Sequence, residues 1–447
     1  MSNAPAGGVK QSVREQARAA RAAARKLALV SNDARNEVLL DVAKRTEQSA
    51  ARILAANAED CRAAEELARG GKLSAAAFAR LRVSEKTVRE MVQRLEEVSR
   101  LEDPIGKRLA TTELDEGLIL YKESCPLGVV AVVFESRPDV VPQVAALAFK
   151  SGNAVLLKGG AEAARTNEVL VGLWQEAVRE RSGVASAAVT LLQSRADVME
   201  LLELKREVDL IVPRGSREFV EFISANSKVP VLGHGEGICH VYVDRAADFA
   251  KAHAIVLDAK TQYPAACNAM ETLLVHQDVA DKFLPQAAAK LSAAGVELRG
   301  CERTRAILPA VNLKHASEVD WATEYSELIL SIRVVDSLDA ALDHIAEYGS
   351  LHTESIVTED AAAAQRFLDE VDAAGVYQNV STRFADGYRY GLGSEVGISN
   401  SKLHARGPMG MEGLTTYKYK LVGNGHIIST YARGERTLHP RSLTKPS

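Results

Sequence analysis

The pattern of apolar and polar positions along the chain changes near residue 105. Up to about residue 100 the chain is rich in Ala, Leu, Arg and Glu, which are good helix formers, and it predicts a series of helices. Ser31 and Ser84 supply side chains that can cap the starts of two of these helices. Asp103-Pro104-Ile105-Gly106 then ends the helical part, because these residues favour turns.

Beyond that turn, short apolar runs alternate with helical segments. The runs GVVAVVF (128–134) and AVLLK (154–158) are typical of strands that are covered on both faces. The alternation resumes near residue 258, where ETLLVH and ESIVTED predict strands and VADKFLPQAAAKLSAAG predicts a helix. Strands that alternate with helices at this spacing indicate right-handed βαβ units, so we expect an α/β fold with two mostly parallel sheets.

Two β segments, near 110–125 and 415–430, belong to neither of these lobes. A lone strand leaves its backbone groups unpaired, so we expect the two segments to pair with each other or with another subunit. The chain is therefore divided into three parts. The first lobe comprises 1–108 and 126–257, the second lobe comprises 258–412, and the small β element comprises 109–125 and 413–447.

Composition and charge narrow the class of protein. The net charge of −4 gives no electrostatic reason to expect nucleic acid or an anionic membrane as a partner. No apolar run approaches the ~20 residues that span a bilayer. The five cysteines are widely spread without a CxxC pair, which argues against a disulfide framework and a zinc site and favours the cytoplasm. The basic, Ala-rich start is compatible with a transit peptide, although an amphipathic first helix is the simpler interpretation.

Polar residues follow three predicted strands of the first lobe. Glu135-Ser136-Arg137-Pro138 comes directly after the run at 128–134, Lys158-Gly159-Gly160 ends the next strand, and Arg214-Gly215-Ser216 joins a later strand to a helix. Ligands bind at the carboxyl ends of strands in open α/β sheets, and helix N-termini favour anions. These turns are therefore candidates for nucleotide binding, although a glycine at such a turn often serves backbone geometry alone.

Two segments of the second lobe carry candidate chemistry. Cys267 lies on a loop of small residues before a buried strand, where a thiolate would be open to a carbonyl substrate; a buried inert cysteine is the alternative. The segment 378–414 combines flexible glycines with side chains that suit a carboxylate or phosphate. These side chains are Ser381, Thr382, Arg383, His404 and Arg406.

Together these segments closely resemble the γ-glutamyl phosphate reductases of the aldehyde dehydrogenase superfamily. The matching stretches lie between about residues 104 and 430 and include PLGVVAVVFESRPDVV, SGNAVLLKGG, DLIVPRGS, LDAKTQYPAACNAMETLLVH and GLGSEVGISNSKLHARGPMG. The resemblance looks greatest to the eukaryotic branch of that family. It implies an aldehyde dehydrogenase-like fold with two Rossmann-like lobes, an NADP-binding domain and a thiol-bearing catalytic domain, and makes the small β element an oligomerisation element.

The resemblance implies that the second step of proline synthesis is catalysed. Cys267 would attack the acyl phosphate of L-glutamyl 5-phosphate, phosphate would leave, and the thioester would be reduced to L-glutamate 5-semialdehyde. The backbone N–H of Cys267 is the expected oxyanion donor. Ser136 falls where general aldehyde dehydrogenases carry a donor Asn, and Asn268 directly follows the nucleophile, so both are further catalytic candidates.

One departure from general aldehyde dehydrogenases bears on the reaction. Those enzymes carry a Glu about 34 residues before the cysteine, which activates water, whereas this chain has Val231-Leu232-Gly233-His234 there, with Glu236 the nearest carboxylate. Slow thioester hydrolysis is expected without a placed base. A phosphate-independent hydrolytic semialdehyde dehydrogenase is the alternative enzyme, and a non-catalytic nucleotide-binding scaffold is the alternative class. His234 could act on the thiol or serve a structural role at its glycine turn.

The resemblance also assigns ligands and partners. Lys158 with Gly159, and Gly215 with Ser216, match cofactor-binding turns for NADP(H), and Glu324 falls at the superfamily Glu that holds the nicotinamide ribose. The anionic substrate would be held by Arg137, Ser381, Thr382, Arg383, His404 and Arg406, without a division between phosphate and α-carboxylate. A homo-oligomer, either a dimer or a tetramer, and functional pairing with a separate glutamate 5-kinase are expected.

Overall fold

The computed structural model of the protein describes residues 11–193, 195–233 and 236–444. The chain forms two compact units. The first comprises Met1–Leu232, Leu392–Val396 and Met409–Ser447, and the second comprises Gly233–Gly391 and Gly397–Pro408. Across the described ranges, no helix combines the length and the apolar character needed to span a bilayer.

The first unit begins with the predicted helices. Ser31 accepts a hydrogen bond from the N–H of Ala34, and Ser84 forms a reciprocal capping box with Thr87, so both predicted caps are confirmed. The helices are α1 (Val13–Leu27), α2 (Asn32–Gln48), α3 (Ala50–Arg69), α4 (Ala75–Leu81) and α5 (Glu85–Arg100).

A four-stranded parallel sheet forms the core of the first unit. After β1 (Arg108–Asp115) and β2 (Leu118–Pro126), the chain enters this sheet, whose strand order is β5-β4-β3-β6. Every residue of β3 and β4 is buried, which confirms the interpretation of their apolar runs. The elements are β3 (Val129–Phe134), α6 (Val140–Lys150), β4 (Ala154–Lys158), α7 (Ala164–Arg181), β5 (Val189–Leu191), α8 (Arg195–Leu202), β6 (Leu210–Arg214) and α9 (Arg217–Asn226).

The second unit is built on a seven-stranded parallel sheet with the order β10-β9-β11-β8-β7-β12-β13. All seven residues of its central strand β8 are buried. The elements are β7 (Cys239–Val243), α10 (Phe249–Thr261), β8 (Met270–His276), α11 (Gln277–Ala293), β9 (Glu297–Gly300), α12 (Glu302–Ile307), β10 (Leu313–His315), α13 (Glu318–Trp321), β11 (Ile329–Val335), α14 (Leu338–Tyr348), β12 (Thr353–Val357), α15 (Ala361–Glu370), β13 (Gly375–Gln378), β14 (Ile398–Ser399) and β15 (Gly407–Pro408).

The two orphan β segments pair with each other, which is one of the two predicted alternatives. β16 (Thr415–Val422) runs antiparallel to β2, from Thr415 opposite Pro126 to Val422 opposite Ile119. After α16 (Ile428–Ala432), β17 (Arg441–Ser442) completes a sheet of order β16-β2-β1-β17.

The border between the two lobes differs from the expected one. The sequence division assigned residues 233–257 to the first lobe, whereas the second unit begins at Gly233. β7 hydrogen-bonds to both β8 and β12, so that it lies inside the second sheet. The alternation of strands and helices does not reveal which sheet a strand joins, because that depends on pairing with strands far along the chain.

Two fully buried cations anchor α6 against the N-terminal helices. The Lys150 ammonium donates to Asn32 Oδ1 (2.7 Å), Asn36 Oδ1 (2.5 Å) and the Ser99 carbonyl (3.1 Å). Arg35, also buried, donates to the carbonyl oxygen of Lys150. Burial and the neighbouring Arg35 lower the pKa of Lys150 to about 8. The C-terminal end of α6 is thus held by a polar cluster that is sensitive to pH.

This pKa predicts how stability depends on pH. The folded state holds Lys150 at a pKa below the usual 10.5, so between about pH 8 and pH 10.5 the unfolded chain binds a proton that the folded chain does not. The free energy of unfolding of the natural protein should therefore rise through that window relative to Lys150→Met. Urea unfolding of both proteins at several pH values measures this difference. Lys26→Met, at an exposed site on α1, is the control, and a constant difference for Lys150→Met would contradict the expectation.

Candidate active site

The candidate nucleophile lies on a loop whose position is fixed by the core of the second unit. Cys267 sits in a turn between the end of α10 at Thr261 and the start of β8 at Met270. Its side chain is partly exposed, whereas Asn268 and Ala269 after it are buried. A thiol that is accessible on a rigid, small-residue loop meets the first requirement for a nucleophile.

The backbone of Cys267 is held by two residues that precede and begin β7. A Cβ atom on Gly237 would lie 1.9 Å from the carbonyl oxygen of Cys267, so this position accommodates only glycine. The Cys239 thiol donates a hydrogen bond to the same oxygen at 3.4 Å. Burial raises the pKa of Cys239 well above its usual range, so it remains a protonated donor rather than a second nucleophile.

Gly237 also connects the thiol loop to a predicted cofactor ligand. Its N–H donates to Glu324 Oε2 at 3.0 Å. The sequence analysis did not single out Gly237, although it stands two residues before a buried strand, where a close backbone approach is a common reason for glycine. The structure therefore brings Glu324, Gly237 and Cys267 together within the second unit.

Asn268 anchors the nucleophile loop to the segment that carries several predicted substrate ligands. Its amide Nδ2 donates to the carbonyl of Ala385 at 2.7 Å, just after the short helix Thr382–Phe384. The other amide atom, Oδ1, and the Thr382 hydroxyl are buried, and neither has a hydrogen-bond partner in the described ranges. Because buried polar atoms are normally paired, these two atoms are candidates for contact with a ligand.

Arg383 places a buried cation beside the thiol loop. Only 8% of it is exposed, its Nε donates to Gln262 Oε1 at 2.9 Å, and its guanidinium lies 5.8 Å from the ring centroid of Tyr263. Burial and the nearby Arg389 lower the pKa of Arg383, while the charge of Cys267 acts in the opposite direction. A desolvated guanidinium near the nucleophile suits an anionic substrate group.

The other predicted substrate residues of the second unit differ in their exposure and in their hydrogen-bond partners. Ser381 is buried and its hydroxyl accepts from the Arg383 N–H at 3.3 Å. His404 is exposed. Arg406 donates to Asp372 Oδ1 at 2.8 Å, and together with Lys402 it lowers the pKa of that carboxyl group. Arg406 is thus already paired with a carboxylate of the protein.

The first unit gathers its three polar turns at one edge of the sheet. Val133 of β3 is in register with Lys158 of β4, and Phe134 is in register with Arg214 of β6. The residues that follow these strand ends therefore share the carboxyl edge, as predicted for a ligand-binding α/β sheet. The same edge carries Ser136, whose φ of 40° is unusual for a residue with a side chain.

Ser136 donates both of its hydrogen bonds to one carboxylate of the first unit. Its N–H and its hydroxyl both donate to Glu162 Oε1, at 2.8 and 2.6 Å. Only 2% of Ser136 is exposed. Arg137, the next residue, donates to Asp139 Oδ2 at 3.0 Å. Ser136 therefore contributes first to the shape of this turn, and the sequence could not show its partner 26 residues further along the chain.

The N-termini of α7 and α9, both at this edge, differ in what occupies them. The first N–H groups of α7 are taken by Asp60, which is 1% exposed and accepts from Thr166 N–H at 2.8 Å. At α9, the Ser216 N–H donates to the exposed Glu135 carboxylate at 3.3 Å. A buried carboxylate closes the α7 terminus to a ligand, whereas an exposed one at α9 can yield to a phosphate.

Glycines shape both predicted cofactor turns. A Cβ on Gly159 would lie 2.2 Å from Asn167 Nδ2, and a Cβ on Gly215 would lie 2.7 Å from Glu135 Oε2. Lys158 is 8% exposed, its ammonium donates to the Gly159 carbonyl, and burial lowers its pKa. The turns thus combine close backbone approach, a helix N-terminus and a cation, a combination that suits the phosphates and ribose of a dinucleotide.

The segment that replaces the water-activating Glu of general aldehyde dehydrogenases lies only partly within the described residues. Gly233 and Glu236 are described, and His234 lies outside the described residues, as does position 235. The proposed action of His234 on the thiol therefore stays a prediction. Glu236, the nearest carboxylate in the sequence, is partly exposed.

Comparison with known proteins agrees with these features. The profile of the aldehyde dehydrogenase family matches residues 2–327. A gamma-glutamyl phosphate reductase of Synechococcus sp. (strain JA-3-3Ab) is 54% identical over 416 residues, which cover 93% of this chain and 91% of that protein. A gamma-glutamyl phosphate reductase of the archaeon Natronomonas pharaonis is 51% identical over 414 residues, with 93% and 94% covered.

A solved structure agrees as well. The crystal structure of gamma-glutamyl phosphate reductase from Thermotoga maritima superposes with a TM-score of 0.89 at 39% identity, and the match covers 93% of this chain and 100% of that one. The expected greater resemblance to the eukaryotic branch stays a prediction. The chain belongs to the aldehyde dehydrogenase family and, within it, to the gamma-glutamyl phosphate reductases, as its motifs predicted.

Proposed function

We propose that the protein catalyses the NADPH-dependent reduction of L-glutamyl 5-phosphate to L-glutamate 5-semialdehyde and phosphate, the second step of proline biosynthesis. The observation that carries this proposal is a partly accessible Cys267 on a loop of small residues, with the buried cation Arg383 beside it. Membership of the gamma-glutamyl phosphate reductases supports the choice of substrate.

Cys267 acts as the nucleophile. Its thiolate attacks the γ-carbonyl carbon of the acyl phosphate, a C–S bond forms, the C–O bond to phosphorus breaks, and inorganic phosphate leaves. The negative charge that develops on the carbonyl oxygen is stabilised by the backbone N–H of Cys267. Asn268 holds this peptide in place through its bond to Ala385, so its role is to position the loop. Ser136, the other catalytic candidate, can donate to an oxyanion only after its bond to Glu162 breaks.

The anionic substrate is held by the polar segment next to the thiol loop. Arg383 supplies the nearest charge, and the buried Thr382 hydroxyl supplies a hydrogen bond. Ser381, which faces the Arg383 backbone, supports this pair. Arg137, His404 and Arg406 stay predicted ligands for the second anionic group of the substrate.

Each unit carries predicted ligands of NADP(H): the glycine turns in the first and Glu324 in the second. Gly215 and Ser216 at the start of α9 receive the phosphates, and Lys158 with Gly159 receives the adenosine ribose and its 2′-phosphate. Glu324, whose carboxylate accepts the Gly237 N–H, contacts the nicotinamide ribose. Bound NADPH supplies the hydride that reduces the thioester to the aldehyde level, and Cys267 is released as the thiolate.

The fate of the thioester separates this reaction from the alternative hydrolytic dehydrogenase. The chain carries a glycine, Gly233, where general aldehyde dehydrogenases carry the base that activates water. Without that base, water attacks the thioester slowly, so that phosphate is the effective acceptor in the reverse direction. An intact, partly accessible Cys267 also argues against a scaffold that has lost catalysis.

Location and partners follow from the chemistry and the surface. Cysteines that form no disulfide across the described residues suit the reducing cytoplasm. The edge strand β16 exposes Tyr417, Tyr419, Leu421 and Val422, which supports pairing with a second copy as a dimer or tetramer. Acyl phosphates hydrolyse readily, so a separate glutamate 5-kinase is the partner that supplies the substrate.

The first test is the dependence on phosphate. In the reverse direction, the protein should form NADPH from glutamate semialdehyde and NADP+ only when phosphate is present, because phosphate must cleave the thioester. Cys267→Ala should lower the rate by at least about a thousandfold, and Cys125→Ala, on β2, is the control that should not. NADPH formation is followed by absorbance. Turnover that continues without phosphate would establish the hydrolytic alternative, and activity in Cys267→Ala would remove the thiol from the mechanism.

The second test concerns the cofactor turn. Lys158→Met should weaken NADP+ binding by about tenfold, equivalent to ~1.4 kcal/mol, because it removes a cation from the ribose phosphate. Calorimetric titration of NADP+ into the protein measures the Kd without turnover. Lys228→Met, which removes an exposed lysine paired with Glu203, is the control. An unchanged Kd in Lys158→Met would place the 2′-phosphate elsewhere.

A further inference from the structure

A buried ion pair in the second unit has no part in the chemistry assigned above. Lys260, in the last turn of α10, places its Nζ 2.6 Å from Glu271 Oε2 on β8, and the two side chains are 0% and 1% exposed. Burial raises the pKa of Glu271 to about 7 and lowers that of Lys260, while each charge favours the other. Buried pairs of this kind often stabilise no more than apolar residues of similar size. The position of the pair therefore offers a better reason for its presence than stability does.

The two residues of the pair lie on either side of Cys267 in the sequence. Lys260 stands seven residues before Cys267, and Glu271 stands four residues after it. Their contact joins the last turn of α10 to the second residue of the central strand β8. The intervening segment 261–270 therefore becomes a closed loop. Closing a short loop removes much of its conformational freedom, and here the thiol is the part that loses it.

The second oxygen of Glu271 reaches the segment that holds Glu324. Glu271 Oε1 accepts from the Ser326 N–H at 3.3 Å, and Ser326 has a φ of 54°. Two residues earlier, Glu324 accepts the N–H of Gly237, and Gly237 lies against the carbonyl of Cys267. One carboxylate is thus linked to the thiol loop on one side and to the predicted ribose ligand on the other.

We propose that Lys260 and Glu271 form a positioning pair that fixes the Cys267 loop and the Glu324 segment relative to each other. This inference rests on the proposed role of Cys267 as the nucleophile. The pair touches neither substrate nor reacting atoms, and it acts through the loop it closes. A loss of the pair should therefore lower the reactivity of the thiol and the affinity for NADP+ even in a protein that remains folded.

The central experiment measures the alkylation rate of Cys267 by iodoacetamide, with the modified peptide identified by mass spectrometry. Glu271→Gln and Lys260→Met should each slow alkylation by about 10- to 100-fold, because small displacements of a reacting group have effects of this size. In the phosphate-dependent assay kcat should fall similarly, with KM for phosphate within about twofold. The matched control is Lys251→Met with Glu359→Gln, which removes an exposed 2.8 Å ion pair from the same helix α10 and should change neither quantity.

Two further variants separate positioning from simple stabilisation. The double variant Lys260→Met/Glu271→Met removes both charges, so it avoids an unpaired buried charge and should recover the melting temperature but not the alkylation rate. Glu271→Asp keeps the charge but shortens the side chain, and it should slow alkylation severalfold while weakening NADP+ binding in calorimetry. Natural alkylation rates in the double variant or in Glu271→Asp would overturn the proposal.

The outcomes also distinguish this inference from the proposed function. If the natural protein turns over without phosphate, the reductase assignment fails, but the alkylation rates still test the pair. If Cys267 of the natural protein resists alkylation, the nucleophile itself is refuted. Phosphate-dependent turnover together with unchanged alkylation in the folded single variants would refute the positioning pair alone.

Discussion

The position of the Cys267 loop depends on two contacts to one atom, the carbonyl oxygen of Cys267. Gly237 approaches it so closely that no side chain fits, and the Cys239 thiol donates a hydrogen bond to it. Both contacts come from the residues just before and at the start of β7. This strand is hydrogen-bonded to β8, which begins at Met270, three residues after Cys267. The peptide that carries the thiol is therefore held by two neighbouring strands of a buried parallel sheet. Such support fixes a reacting group more firmly than a surface loop does.

The first unit presents a different kind of constraint, because its polar turns are shaped by carboxylates of the chain itself. Asp60 occupies the N–H groups at the start of α7, and Glu162 accepts both donors of Ser136. Glu135 lies at the start of α9 but is exposed to solvent. A phosphate competes poorly with a buried carboxylate and readily with an exposed one, so the distribution of these acids favours the α9 turn for the dinucleotide phosphates.

Local sequence patterns predicted much of this structure. The apolar runs of β3, β4 and β8 identified buried strands, and the small residues around Cys267 predicted an accessible loop before β8. The contacts that define the site were not predictable in this way. Gly237 and Glu324 are 87 residues apart, and Ser136 and Glu162 are 26 apart. Periodicity reports which face of an element is buried, but only the folded chain reveals which distant residue meets it.

The sheet that β7 joins was not predictable for the same reason, because it depends on pairing with strands far along the chain. A buried strand of five residues satisfies its backbone groups equally well in either sheet, and its own sequence carries no preference. The pairing with β8 and β12 decides which sheet β7 joins, and it also brings Gly237 and Cys239 to the Cys267 loop. The sequence analysis assigned β7 to the other sheet, and β7 is therefore one of the elements that position the candidate site.

The hydrogen bonds from Ser136 to Glu162 bear on the proposed role of Ser136 as an oxyanion donor. A hydroxyl that donates to a carboxylate at 2.6 Å forms a charge-assisted hydrogen bond, and breaking it costs about 1.5–3 kcal/mol. Donation to a transient oxyanion would return a similar amount, so that the exchange brings little net gain. A backbone N–H whose direction is already set by the surrounding peptides requires no such exchange. The proposed assignment of the Cys267 N–H as the oxyanion donor does not depend on such an exchange.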